Sequence, residues 1–153
     1  GDWSSDVCSS DLKWPNDLYW NDRKAGGILM ESILEGTERK WAVAGIGINI
    51  NQLSFPGIPG PPVSLKEISG REYDPVTLAR SLHQSFLHDI RDAEPNRIMA
   101  SYNEDLYKKG ETVRLKKGNM VLTTRIEGVD AYGHLITRDS IERSFAVGEV
   151  EWV

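Results

Sequence analysis

Near its start the chain carries two lysines around a short polar corner. Lys13-Trp14-Pro15-Asn16-Asp17 is followed by Arg23-Lys24-Ala25-Gly26-Gly27-Ile28-Leu29-Met30-Glu31. Pro15 fixes its own φ and biases Trp14 toward an extended backbone. Asn16 and Asp17 can then leave the strand in a turn and present polar heads. Lysine ammonium groups neutralise phosphates as compact point charges. Mg²⁺ is usually held by one or two carboxylates together with substrate phosphates. Cations on both sides of an Asn-Asp pair therefore suit a nucleotide and its metal ion. The same letters also suit a purely structural role, with Pro-Asn-Asp as a turn and Asp22-Arg23-Lys24 as an exposed hairpin tip.

The elements that must position these groups read as an antiparallel meander. Lys13–Trp20 has the composition of a strand with a polar interruption. Residues 21–24 form a turn, and Ala25–Leu34 the returning strand. A second turn covers 35–38. Trp41–Asn51 is a third strand, apolar enough to be central. Its Gly45 and Gly47 alternate with Ile46 and Ile48, leaving one face bare. Glycine in a strand interior usually marks close approach by a ligand or another backbone. Gly26, Gly27, Gly45 and Gly47 together suit a slot over the sheet, or a face on which a helix packs closely.

Beyond the meander, Phe55–Pro62 holds four prolines and reads as a loop over the sheet edge. Asp74 caps a helix with Pro75 at its first position. Leu78, Ala79, Leu82, Phe86 and Ile90 form an apolar stripe at helical spacing, expected to cover the core. Asn96 is placed as the cap of a second short helix, with Ile98, Tyr102 and Leu106 inward. Five short strand patterns follow: Thr112–Leu115, Val121–Ile126, Gly133–Thr137, Ile141–Val147 and Glu149–Val153. Such a run of short strands reads as a small barrel. Lys116-Lys117 is expected in a solvated turn.

Composition narrows the classes. Of 153 residues, 39% are hydrophobic and 27% charged, as in a globular domain. No apolar run has the length of a transmembrane span, so no membrane partner is expected. A formal net charge of -5 argues against a general nucleic-acid binder, which is normally basic. The single cysteine, Cys8, excludes an intrachain disulfide and favours a cytoplasmic setting. His83, His88 and His134 are scattered and make no zinc pattern. Residues 1–12 show neither helical nor strand period and no leader design. They resemble translated sequencing-adapter sequence and are expected to be foreign to the fold.

Three motifs in order carry a specific resemblance: Lys13-Trp-Pro-Asn-Asp-Leu-Tyr, Arg23-Lys-Ala-Gly-Gly-Ile-Leu-Met-Glu and Gly45-Ile-Gly-Ile-Asn-Ile-Asn. Together they resemble the second half of the catalytic domain of biotin–protein ligases, and the likeness runs from Lys13 to Val153. It implies an α+β fold: an antiparallel or mixed sheet with covering helices, of the class II aminoacyl-tRNA synthetase and biotin ligase kind. Residues 13–108 would be the catalytic half and 109–153 an SH3-like barrel. It implies ATP, Mg²⁺ and biotin as ligands, and a biotin carboxyl carrier protein domain as the acceptor, with a homodimer as a possible assembly.

Residue by residue, the resemblance implies that Lys24 approaches the biotinyl carboxylate and acyl-adenylate. Lys13 and Asp17 fall near the nucleotide phosphates and metal, Asp17 as the metal ligand. Asn16 touches the nucleotide, Gly27 and Ile28 line the biotin ring, and Asn49 contacts the adenine side. Lys24 and Lys13 are the expected catalytic groups, and Trp14 belongs to packing. The family reads one Ala or Cys before a single glycine where this chain has Ala25-Gly26-Gly27, which leaves Gly26 without an assigned role. The family's Gly/Arg-rich phosphate loop has no counterpart in the sequence. The expectation is therefore a C-terminal part of a ligase, inactive alone and with exposed sheet surface. The rival readings are a lipoate–protein ligase of the same fold and a non-catalytic interaction module.

Overall fold

The computed structural model describes residues 10–153. Cys8 and most of the segment expected to be foreign lie outside them. The chain divides into two compact units. In described residues these are 10 with 16–86, and 11–15 with 87–153. The division falls inside a helix, 22 residues before the boundary expected at 108.

The first unit is built on three antiparallel strands, β2 (Asp17–Trp20), β3 (Arg23–Glu35) and β4 (Glu38–Ile48). They are preceded in the chain by β1 (Ser10–Lys13). The turn between β2 and β3 is shorter than the sequence suggested. Trp20 pairs with Arg23, leaving only Asn21 and Asp22 in the loop. Both have positive φ, 46° and 61°. A two-residue hairpin loop of this hand matches the strand twist, and Asn and Asp tolerate it better than other side chains. Lys24 is consequently a strand residue, with its direction fixed by the sheet.

After β4 the chain runs through the proline-rich loop onto the start of β3. Lys24 N–H donates to Pro61 O and Val63 N–H donates to Lys24 O, each at 2.9 Å. A short helix follows, α1 (Leu65–Ser69), closed by Gly70 at φ 70°. Ser64 caps it in a reciprocal box with Glu67. Sequence reading missed this helix, although Ser64-x-x-Glu67 is a capping-box signature.

α2 (Pro75–Arg91) starts as expected, with Asp74 Oδ2 accepting from Thr77 N–H at 2.8 Å. Its apolar stripe does not cover a core: Leu82, Phe86 and Ile90 are exposed, and no residue of α2 is buried. α3 (Pro95–Glu104) begins two residues earlier than expected. Glu94 is its cap and Pro95 sits in the first turn, so Asn96 is inside the helix.

The second unit holds a five-stranded antiparallel sheet, in line with the small barrel expected from the strand pattern and the SH3-like kind that the resemblance implied. Its strands are β5 (Thr112–Lys117), β6 (Met120–Val129), β7 (Leu135–Arg138), β8 (Glu142–Phe145) and β9 (Glu151–Trp152). Their order is β8-β7-β6-β5-β9. Lys116 and Lys117 end β5 instead of forming a turn, and Lys117 pairs with Glu149 at 3.2 Å.

Alternation along β6 sends Thr124 and Ile126 inward, and a bulge between Ile126 and Gly128 shifts the register so that Val129 is buried too. Ile126 and Val129 join Leu106, Leu115, Leu135, Phe145, Val150 and Trp14 in one apolar core. Trp14 is a packing residue, as expected. It is 3% exposed, and its indole N–H donates to Gly133 O at 2.9 Å. Leu12, two residues away, bonds through its backbone to Asp105 O and Tyr107 N–H.

Candidate functional site

The site in the first unit is a hollow of about 380 Å³ lined by the start of β3, the end of β4 and the proline loop. That volume is in the range of small-molecule sites. Lys24, Gly26 and Gly27 contribute from β3, Gly47 and Ile48 from β4, Asn49 just after it, and Ile58, Pro59 and Pro62 from the loop. The lining is apolar with one ammonium and one carboxamide, which suits a ligand with an apolar body and a negative end.

The glycines have different reasons to be glycine. A Cβ on Gly26 would stand 2.4 Å from the backbone oxygen of Gly47, so that position serves close approach of β3 to β4. A Cβ on Gly27 would stand 2.9 Å from Asp17 Oδ1, so the missing side chain makes way for the carboxylate. At Gly47 no atom lies within 4 Å of where a Cβ would be; its bareness leaves the floor of the hollow open. Gly45 is not among the lining residues.

Lys24 Nζ sits 2.7 Å from Asp17 Oδ1, with both side chains partly exposed. Asn16 exchanges two hydrogen bonds with Ile28. Ile28 N–H donates to Asn16 O at 2.8 Å, and Asn16 Nδ2 donates to Ile28 O at 2.6 Å. Asn16 is thus fixed against β3, and the Ile28 side chain is left exposed. Asn49 Nδ2 donates to Lys24 O at 3.2 Å and to Val63 O at 3.1 Å, tying the end of β4 to both neighbours of the hollow.

Of the residues singled out from sequence, Lys24, Gly27 and Asn49 line one hollow, and Asp17 is paired to Lys24. Asn16 and Ile28 adjoin it through the backbone. Lys13 belongs to the second unit. Its ammonium lies over the rings of Trp152 and Tyr107, 5.1 and 5.5 Å from their centroids. That is cation–π geometry.

Two residues that sequence reading passed over complete the surroundings. Arg23 and Glu67 form an ion pair at 3.0 Å. The Arg23 guanidinium, and after it the Ser64 backbone N–H, hold the Glu67 carboxyl below its usual range.

A protein-held metal does not fit this donor set. Asp17 is a lone carboxylate already engaged by Lys24, and no group of three or more His, Cys, Asp or Glu among the described residues could hold an ion.

Comparison with known proteins agrees with this geometry. Residues 4–51, which include the Lys-Trp-Pro-Asn-Asp corner, β2, β3 and β4, match the Biotin/lipoate A/B protein ligase family. The fold is also that of solved ligases: a biotin protein ligase from Aquifex aeolicus in complex with biotin and ATP superposes at a TM-score of 0.71 with 26% identity. Over residues 4–51 the chain carries the pattern of this family. The Aquifex match covers 93% of this chain and 61% of that one.

Among curated relatives, the biotin–[acetyl-CoA-carboxylase] ligase of Paracoccus denitrificans is 31% identical over 136 residues, 83% of this chain. The bifunctional ligase/repressor BirA of Bacillus spizizenii is 36% identical over 86 residues, 54% of this chain. The chain spans 56% of the first relative's length and 26% of the second's.

Proposed function

We propose that the hollow beside Lys24 holds the biotinyl-5′-adenylate of a biotin–[biotin carboxyl carrier protein] ligase. The observation that carries this is the convergence of Lys24, Gly27, Gly47 and Asn49 on one apolar hollow, with Asp17 holding the Lys24 ammonium at its rim. The Paracoccus and Aquifex relatives, a biotin ligase and a biotin- and ATP-bound ligase, support the choice of ligand.

In the first step a biotin carboxylate oxygen attacks the α-phosphorus of ATP. The bond to the bridging oxygen breaks, and pyrophosphate leaves with its electron pair. In the second step the neutral amine of a carrier lysine attacks the mixed anhydride carbonyl. The acyl C–O bond breaks, AMP leaves, and the amine sheds a proton. The contribution of this chain is positioning and charge neutralisation. Lys24 offsets negative charge where carboxylate and phosphate meet. Gly47 lets a flat ring approach the sheet backbone, Gly27 lines the ring's edge while leaving room for Asp17, and Asn49 keeps the β4 end and the loop in register with Lys24.

Asp17 acts as the counter-ion that holds Lys24 in place. Mg²⁺ would be held mainly by the nucleotide's phosphates, and Asp17 would supply a carboxylate alongside them.

The test is pyrophosphate exchange and carrier biotinylation in the natural reading frame that contains this chain. Lys24→Ala is expected to lower both rates by at least about a hundredfold. Unchanged rates would remove Lys24 from the mechanism. Exchange driven by lipoate in place of biotin would assign the hollow to the sister activity.

A further inference from the structure

The proline strap that closes one side of the hollow has almost no means of holding itself. Pro59, Pro61 and Pro62 lack a backbone N–H, so this stretch cannot build a ladder from its own donors. Its carbonyls are instead met from outside. Lys24 N–H reaches Pro61 O at 2.9 Å. The Arg23 guanidinium reaches Pro62 O twice, from Nε at 3.1 Å and from Nη2 at 2.7 Å. The same Nη2 lies 3.0 Å from Glu67 Oε1. Glu67 Oε2 accepts from Ser64 N–H at 3.1 Å, and Ser64 Oγ accepts from Glu67 N–H at 3.2 Å. Val63 and Ser64, between the strap and α1, are fully buried.

We infer that Arg23 and Glu67 form a clasp that positions the strap as a wall of the hollow and so sets the fit of the acyl-adenylate without touching it. This rests on the ligase reading of the hollow. The clasp needs arginine specifically. One planar fork serves a carbonyl and a carboxylate at once, which the compact ammonium of lysine does not reproduce. Position strengthens the argument, because Arg23 directly precedes Lys24. Any shift of the strap relative to Arg23 also moves Pro62 relative to the ammonium that meets the ligand. Both Arg23 and Glu67 are positioning residues.

The experiment compares Arg23→Gln, Arg23→Lys and Glu67→Gln with the unaltered protein. The first readout is amide exchange at Val63 in the absence of ligand, where a loosened strap is expected to exchange about tenfold faster in Arg23→Gln. The second is calorimetric affinity for a non-hydrolysable biotinyl-5′-adenylate mimic, expected to fall about tenfold in Arg23→Gln and Glu67→Gln, with partial recovery in Arg23→Lys. The melting temperature is expected to stay within a few degrees, as for exposed ion pairs. A purely structural pair would lower the melting temperature and leave the affinity of the folded fraction alone, which would overturn the inference. Unaltered Val63 exchange in Arg23→Gln would also overturn it. Failure of the unaltered protein to bind the mimic would instead overturn the ligase reading, while the exchange data still report whether the clasp holds the strap.

Discussion

In the C-terminal unit Leu115, Ile126 and Leu135 are fully buried, whereas in the sheet of the N-terminal unit Ile28, Met30, Val43 and Ile46 remain exposed. Both regions are antiparallel and both place apolar residues along their strands. They differ in what the strands enclose. The barrel folds its sheet around one cluster of apolar side chains. In the sheet unit the described buried residues are few: Ala25, Gly26, Val63 and Ser64, all next to the hollow. Burial there supports a site, and burial in the barrel supports a fold. Regions with little buried apolar area open most readily and are where ligand-dependent ordering is expected.

The largest effect that would break this contrast comes from truncating the cores. Ile126→Ala in the barrel is expected to cost about 2–5 kcal/mol. Ile46→Ala, at an exposed position of β4, is expected to stay within about 0.5 kcal/mol. Urea denaturation of both variants, followed by tryptophan fluorescence, checks the pair. Equal losses would mean that the sheet carries a core of its own.

Next come the glycines. Gly26→Ala drives a methyl into the Gly47 carbonyl oxygen and is expected to cost about 1–3 kcal/mol. Gly47→Ala meets open space, so stability should hold within about 0.5 kcal/mol. Adenylate-mimic affinity should nevertheless fall, since the methyl narrows the hollow. Paired thermal melts and calorimetry separate the two outcomes.

A smaller effect of opposite sign is expected inside the barrel. The hydroxyls of Thr124 and Thr137 are buried and have no hydrogen-bond partner among the described residues. Thr124→Val keeps the shape and removes an orphaned polar group, so it should stabilise by about 1 kcal/mol. A loss measured in the same urea titration would show that the hydroxyl is satisfied in solution.

The gentlest test is acidification. The Glu67 carboxyl is held below its ordinary value of 4.5, chiefly by Arg23. A group depressed in the folded state contributes stability above its unfolded pKa and loses it as pH falls through the folded one. The urea midpoint of the unaltered protein should therefore exceed that of Glu67→Gln at neutral pH. The gap should close as pH drops below 4.5. A gap that persists in acid would separate Glu67's role from its charge.

Much of this architecture was legible from local pattern. The barrel strands showed as period-two runs between turn residues. Asp74-Pro75 marked the start of α2, and the proline cluster marked the strap. These features depend on neighbours in sequence. What stayed hidden depends on neighbours in space. The Lys13 ammonium lies over Trp152 and Tyr107, which no spacing rule connects to it. The α2 stripe has the period of a core helix, yet periodicity says only that a face is apolar, not what meets it. Arg23 looked like half of a hairpin tip because its partners, Pro62 and Glu67, are 39 and 44 residues away. α1 was missed although Ser64 and Glu67 were in view, because five helical residues give too little period to detect.

The site residues divide along the same line. Lys24, Gly27 and Asn49 share a hollow because β3 and β4 are paired with Gly27 opposite Gly47. In the sequence the three were joined by the family resemblance alone, with Lys24 read as part of a turn; the pairing of β3 with β4 supplies the physical reason. The separate duties of Gly26 and Gly27 required coordinates, since one opposes a carbonyl and the other a carboxylate.

The central claim is that the hollow, and not the barrel, receives the acyl-adenylate. Titrating the isotope-labelled protein with a non-hydrolysable biotinyl-5′-adenylate mimic and following backbone amide shifts tests it most directly. The account predicts saturable shifts at Lys24, Gly26, Gly27, Gly47 and Asn49, with β5 to β8 unmoved. Shifts confined to the barrel strands, or none at saturating mimic, would contradict it.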